Sequence, residues 1–173
     1  MAQVLDTNLI RLQCYEGLDV HNAIYEWNYS RQILQIRMME AEGQKDKEKI
    51  SKEIFGSEFL IKRPLYQAID YDGDNPPVLL IDELDRADEE FEAVLLEILS
   101  DFQISIPEIG TIKTEKPPVV VITSNRTREI HDALKRRCLY HWIEYPSAEQ
   151  ELEIVRRKIP EINDALGKQV VAF

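Results

Sequence analysis

Glycine is scarce in this sequence, at 6 of 173 residues, and none of them is followed by Lys-Ser or Lys-Thr. The phosphate-cradling loop G-x-x-x-x-G-K-[S/T] is therefore missing from these residues. Cysteine is scarcer still. Cys14 and Cys138 stand far apart, with no C-x-x-C spacing. That argues against a disulfide framework and predicts two buried, reduced thiols of a cytoplasmic protein. His21, His131 and His141 show no metal-ligand spacing with the cysteines. No apolar run reaches the ~18 residues of a membrane span, and the N-terminus is not a signal peptide. Basic charge is in deficit, with 21 Lys and Arg against 32 Asp and Glu, a net charge of −11. A general nucleic-acid binder needs a basic footprint that is absent here, and the acidic balance favours solubility. No Ser or His stands in a nucleophile-elbow pattern.

What is present is apolar patterning of an ordinary globular kind, at 44% hydrophobic residues in a chain long enough for one core. Met1 to Leu5 suits the tail of a helix. Leu9 to Cys14 alternates and predicts a strand, with Gly17 at the turn out of it. From Val20 the apolar residues Ala23, Ile24, Trp27, Leu34 and Met38 recur at helical spacing. Glu42 to Glu53 is a charged tract and predicts a solvated helix or loop. Phe59 to Ile69 reads as an amphipathic helix, and Asp70 to Pro77 as a breaker segment. Val78 to Asp82 is an apolar strand. The helix after it gathers Leu84, Ala87, Phe91, Val94, Leu95, Ile98, Leu99 and Phe102 on one face, with Asp88, Glu89, Glu90, Glu92 and Glu97 on the other. Gln103 to Lys116 predicts a hairpin around Pro107 and Gly110. Val119 to Thr123 is a second apolar strand, of the kind covered on both faces in parallel sheets. Ile130 to Arg137 reads as a short helix and Tyr140 to Tyr145 as a further strand. Ser147 and Gln150 form a capping box for a helix that stops near Pro160. Alternating strands and helices imply an α/β domain with a mainly parallel sheet. Ligands of such sheets bind beyond the carboxyl ends of the strands. That rule puts Asp82, Glu83 and Ser124-Asn125 on one rim.

Phosphoryl transfer to water needs a held metal, charge neutralisation and an oriented nucleophile. Asp82, at a strand end, suits Mg²⁺ bound through water. Glu83 beside it suits polarisation of the attacking water. The same pair also arises where a strand runs into an acidic helix start that favours the helix dipole. Asn125 suits a hydrogen bond to a terminal phosphate or to the lytic water, and equally a turn. In Lys135-Arg136-Arg137 a guanidinium can act as an arginine finger, or simply favour a helix end. Asp70-Tyr-Asp-Gly-Asp74 is not an EF-hand, because Gly73 falls at loop position 4 and Ile81 at position 12. Trp27 and the Met38-Met39 pair suit core packing better than a partner groove.

In order along the chain, Val78-Leu-Leu-Ile-Asp-Glu-Leu-Asp-Arg-Ala87, an acidic amphipathic helix, a hairpin, Val119-Val-Val-Ile-Thr-Ser-Asn125 and Ala133-Leu-Lys-Arg-Arg-Cys138 resemble an AAA+ ATPase of the MoxR family. Leu84 and Asp85 replace the Ile and Asn usual after the acidic pair. Leu12-Gln-Cys-Tyr-Glu-Gly-Leu-Asp19 and Tyr25-Glu-Trp-Asn28 resemble the subgroup found with carbon monoxide dehydrogenase maturation. The resemblance implies an AAA+/P-loop NTPase-type sheet flanked by helices but lacking the P-loop strand, over residues 1–146. It implies a helix-2 insert at about 17–55, a pre-sensor hairpin at about 103–116 and the beginning of a helical lid over 147–173. Asp82 and Glu83 match Walker B, with Asp82 holding Mg²⁺ and Glu83 acting catalytically. Asn125 matches sensor 1, and Arg137 the finger that reaches a neighbouring nucleotide, with Arg136 the lesser choice. ATP and Mg²⁺ are the implied ligands. A homo-oligomeric, hexameric ring, a von Willebrand factor A domain protein and a client metalloenzyme are the implied partners, without nucleic acid or a membrane span. The implied work is ATP-driven, chaperone-like maturation or metal insertion. The alternative is a non-hydrolysing AAA+ scaffold or regulatory subunit. The missing Walker A implies a chain that begins after it, inactive alone. Loss of the P-loop strand implies unpaired sheet edges and lowered stability.

Overall fold

The computed structural model describes residues 1–43 and 46–171, with the side chain of Lys168 left out. The chain divides into two compact units, Met1–Cys138 and Leu139–Phe173.

In the first unit three strands form a parallel sheet in the order β1 (Leu9–Gln13), β4 (Val78–Asp82), β7 (Val119–Ile122). The register pairs Leu12 with Ile81 and Gln13 with Asp82, and it pairs Ile81 with Ile122. All three strands therefore end on the same rim. The ladder runs past the strand ends: the Cys14 amide donates to the Asp82 carbonyl at 2.9 Å and the Thr123 amide to the Ile81 carbonyl at 2.9 Å. The mixed α/β architecture with a parallel sheet and flanking helices matches the expected fold class. Among the described strands, β7 has β4 as its one neighbour, so its far edge is unpaired.

Side-chain alternation gives the sheet two faces. Ile10, Leu12, Cys14, Leu79 and Ile81 enter the core, with Val120 and Ile122 packed against it. The opposite face carries Arg11, Gln13, Asp82 and Thr123, with Leu80 and Val121 only partly buried. The expected cover on both faces is therefore not met among the described residues. On the covered face, α4 (Pro64–Ile69) supplies Leu65, Ala68 and Ile69, and α5 (Glu89–Asp101) supplies Phe91, Leu95 and Ile98. Each of the larger of these side chains, Ala68 excepted, stabilises by roughly 1.5–3 kcal/mol on burial. α5 starts at its N-cap Asp88, whose carboxylate accepts from the Phe91 amide at 2.8 Å. The hairpin of β5 (Gln103–Ile106) and β6 (Gly110–Lys113) closes with Gly110 at φ +105, and Ile104 and Ile106 seal the core.

Two stretches depart from the sequence reading. The helical pattern from Val20 breaks into α1 (Val20–Ile24), β2 (Tyr25–Trp27) and α2 (Tyr29–Ala41). The expected helix from Phe59 is instead a 3-10 turn, Ser57–Phe59, then β3 (Leu60–Lys62) and α4. β2 and β3 pair as an antiparallel two-stranded ribbon across the intervening helices, Trp27 opposite Leu60. Trp27 meets the Phe55 ring edge-on at 5.2 Å, which seats α3 (Lys47–Ile54). On α2 the buried residues are Gln32 and Met39, and the Gln32 amide donates to the Ile54 carbonyl at 2.7 Å. Leu34 and Met38, on the expected apolar stripe, face solvent. The charged tract lies in and before α3, which buries nothing, as its composition predicts; its residues Gln44 and Lys45 lie outside the described ones. Met1 to Leu5 forms turns rather than a helix tail.

In the second unit Tyr140 to Tyr145 is not a strand. Its apolar residues Tyr140, Trp142, Ile143 and Tyr145 suit a strand, but it joins none of the sheets among the described residues, and Tyr145 is 92% exposed. The Ser147 capping box forms as expected and opens α7 (Ala148–Lys158). α8 (Asp164–Val171) packs back on α7, tied by an Arg156–Asp164 ion pair at 2.7 Å. Gly167 faces Leu152 where a Cβ would come within 3.2 Å, so the close approach suits the smallest residue.

Candidate active site

The rim is built around Asp82. Its Oδ1 accepts from the Thr123 hydroxyl at 2.5 Å. Its Oδ2 accepts from Arg11 twice, from Nε at 3.1 Å and from Nη2 at 2.5 Å. Arg11 Nη2 also reaches Gln13 Oε1 at 2.5 Å. Arg11, Gln13, Asp82 and Thr123 meet because the parallel register puts them on one sheet face at one end. The Thr123 hydroxyl and then the Arg11 guanidinium stabilise the carboxylate, so the Asp82 carboxyl is held below the usual range.

Glu83 follows with φ 55 and ψ 50, the left-handed region. A side chain there costs roughly 1–2 kcal/mol. Its amide donates to Thr123 Oγ1 at 3.0 Å and its carboxylate accepts from Arg86 at 3.2 Å. The chain then enters the 3-10 turn Leu84–Arg86, where the Leu84 amide donates to the Thr123 carbonyl at 2.9 Å. Thr123 thus ties both acidic residues to the end of β7.

Asp85, in that turn, is buried. Its carboxylate accepts from the Asn125 amide at 3.1 Å, the Thr127 amide at 2.8 Å and the Thr127 hydroxyl at 2.6 Å. Burial alone pushes its carboxyl up, but the Thr127 hydroxyl and the backbone amides of Thr127, Asn125 and Asp85 itself outweigh it and hold it below the usual range. Asn125 is thereby fixed by its backbone, and its side chain is exposed on the rim.

Arg136 and Arg137 follow α6 (Asp132–Lys135). His131 caps this helix by accepting from the Ala133 amide at 3.2 Å, and buried Leu134 anchors it. Arg137 Nη1 donates to the Ala133 carbonyl at 3.2 Å, and both arginines are exposed. Among the described residues, no hydrogen bond or ion pair joins either to Asp82, Glu83 or Asn125. The rim therefore gathers three of the sequence-predicted residues, and the arginines stand apart from it.

Arg11, Thr123 and Asp85 are the rim residues that sequence reasoning did not single out. Alternation in β1 marks Arg11 as off the core face, but only the register puts it beside Asp82. Glu92 was expected on the acidic outer face of α5. It is buried instead, because the Arg128 guanidinium pairs with it and the His131 amide donates to it at 2.7 Å. Cys14, next to the Asp82 ladder, is buried and free. Burial, then the charges of Asp82, Asp85 and Glu83, push its thiol up to about 11. Cys138 is exposed, against expectation, and also free.

No cluster of three or more His, Cys, Asp or Glu side chains suited to a metal occurs among the described residues. The donors at the rim are hard oxygens, and the Asp82 side chain keeps 22% of its surface exposed, open to a metal-bound water. That fits Mg²⁺, which is held by one or two carboxylates plus substrate phosphates rather than by a protein cage. An open cavity of about 380 Å³ lies elsewhere, lined by Asn8, Leu9, Ile10, Lys62, Gln67, Asp70 and Tyr71 at the opposite end of β1. No helix is long and apolar enough to cross a membrane among the described residues.

The family AAA domain (dynein-related subfamily) matches residues 1–138. A crystal structure from Cytophaga hutchinsonii ATCC 33406, described as a "putative ATPase", superposes with a TM-score of 0.57 at 20% identity. The match covers 94% of this chain and 41% of that one. At such identity the likeness concerns the fold alone. No curated protein matches the chain.

Proposed function

Because the chain belongs to the AAA domain family, dynein-related subfamily, we propose that its rim serves ATP hydrolysis in a MoxR-type ATPase. The observation that carries the reading is the meeting of Asp82, Glu83 and Asn125 at the carboxyl ends of two adjacent parallel strands, tied through Thr123. Asp82 holds Mg²⁺ through water, with its negative charge kept by Thr123 and Arg11. When bound, the metal neutralises charge on the transferring phosphate. Glu83 accepts a proton from the attacking water. Asn125 donates its amide to the phosphate or orients that water. Arg137, or Arg136, is exposed and offers a guanidinium to a nucleotide on a neighbouring copy.

In this reading the protein works in the cytoplasm as a homo-oligomeric ring, hexameric, with a von Willebrand factor A domain partner. It matures a client metalloenzyme or inserts its metal. Glu83→Gln in the protein as the cell makes it is expected to lower ATP turnover ~10²–10⁴-fold while nucleotide binding persists. Unchanged turnover removes Glu83 from the role.

One observation favours a second reading, a non-hydrolysing scaffold that offers Arg137 to an active neighbour: Arg11 clamps Asp82 Oδ2. Wild-type protein that binds no nucleotide, yet raises turnover by an active homologue, decides for the scaffold.

A further inference from the structure

Two buried carboxylates lie just beyond the rim and have no part in the chemistry proposed above. Asp85 is 4% exposed and Glu92 is 1% exposed. Asp85 grips Asn125 and Thr127 through three donors at 2.6–3.1 Å. Glu92 takes the Arg128 guanidinium on one oxygen and the His131 amide on the other. Arg128 reaches further and donates to the Ala87 carbonyl at 2.7 Å. Segment 125–131 is thus bonded at both ends to the segment that leaves β4. It begins with Asn125, and it ends at the cap of the helix that delivers Arg136 and Arg137.

Burying a carboxylate is costly unless its oxygens are satisfied. Apolar side chains would hold two segments together without that cost. What a carboxylate adds is direction, because each oxygen fixes particular N–H and O–H groups in place. Among the described residues Asp85 has no cation bonded to it, so its charge rests on the Asn125 and Thr127 donors and on its own backbone amide. Loosening that loop would expose the charge and lose all three bonds together. Glu92 is neutralised by Arg128, whose second bond runs back to the turn that carries Asp85. The two clamps therefore share one short stretch, from Asp85 to Glu92, as their fixed side.

We propose that Asp85 and Glu92 are positioning residues that clamp segment 125–131 to the Asp82–Glu83 strand end, so that Asn125 and the Arg136–Arg137 pair move with the acidic rim as one body. The roles of Asn125 and the arginines rest on the ATPase reading; the clamp itself does not. Asn at position 85 would turn its Nδ2 toward the Thr127 amide or the Asn125 amide, donor against donor. Gln at position 92 would do the same toward His131 or Arg128.

The test combines amide hydrogen exchange with steady-state ATP kinetics on the protein as the cell makes it. Asp85→Asn is expected to speed exchange at Asn125 and Thr127 about tenfold or more, and Glu92→Gln at His131, while β1 and β4 amides keep their protection. Turnover is expected to fall about tenfold or more with KM held within about twofold, since binding groups stay and alignment is lost. If either variant fails to fold, Thr127→Val removes one bond of the first clamp and Arg128→Met removes the guanidinium bonds of the second, and both are expected to act in the same direction. Unchanged exchange at Asn125, Thr127 and His131 overturns the clamp, as does loosening spread equally into β1 and β4. Local loosening with unchanged turnover overturns the positioning role. Wild-type protein without ATP turnover refutes the ATPase reading instead, and the exchange pattern then decides the clamp by itself.

Discussion

Asp82 and Asp85 are both held below the ordinary carboxyl range, and the sign of the consequence follows. In the unfolded chain each titrates near the usual value, 3.8. As pH falls past that value the unfolded state takes up protons first, so the balance shifts toward unfolding. Their contribution is fully present above about pH 5 and is lost as pH falls through the folded values below 3.8. The urea midpoint is therefore expected to drop between about pH 5 and pH 3. Asp85→Asn is expected to cost about 1–3 kcal/mol near neutral pH, because amide donors would face an amide. It is also expected to flatten the acid decline, since one depressed carboxyl is gone. Circular dichroism at a series of pH values reads both; a decline as steep as wild type would mean Asp85 does not carry this charge. Glu83 adds a different signature. A left-handed glutamate directly after the acidic strand end is strain of a kind that gathers at functional sites.

Long elements with local signals were legible from the residues alone: β4, the body of α5, the hairpin at Gly110, β7 and the Ser147 capping box; the sequence reading counted α5 from Leu84, whereas a 3-10 turn and the Asp88 cap precede it. Each carries its own signal, in periodicity or in cap chemistry. Two three-residue strands, Tyr25–Trp27 and Leu60–Lys62, were read as helix because their apolar residues fall at helical spacing. Their partner lies far away in sequence, so no local pattern reveals the pairing. Tyr140 to Tyr145 erred in the opposite sense, since apolar and aromatic residues do not make a strand without a sheet to join. The same limit applies at the rim. Asp82, Glu83 and Asn125 announce themselves at strand ends, whereas Arg11 and Glu92 depend on partners that only the register and the helix packing bring near. The β2–β3 pair is expected to be an energetic unit centred on Trp27, which packs on Phe55 and sits in the core. Trp27→Ala is expected to cost about 3–5 kcal/mol. Hydrogen exchange should show the loss concentrated in α2, α3 and the β2–β3 pair; loss spread evenly into β1 and β4 would contradict a separable unit.

At the scale of the whole molecule, charge and topology work together. In a chain of net charge −11, Arg11 on β1 moderates the Asp82 charge, while Arg136 and Arg137, after α6, are exposed and stand apart from the rim; in the proposed reading they serve another copy. The parallel sheet aims every strand end to one side, and the clamped segment carries that order from β7 to the arginines. The apolar β7 edge, unpaired among the described strands, is open to pairing with a further strand. The central claim is spatial: metal and nucleotide meet this protein at the strand-end rim. Manganese in place of magnesium, added with ATP to isotope-labelled protein, broadens the amide signals nearest the metal. The account predicts that broadening centres on Asp82, Glu83, Thr123 and Asn125 and vanishes in Asp82→Asn. Broadening centred instead on the cavity beside Asn8, Lys62 and Tyr71, at the other end of β1, would contradict it.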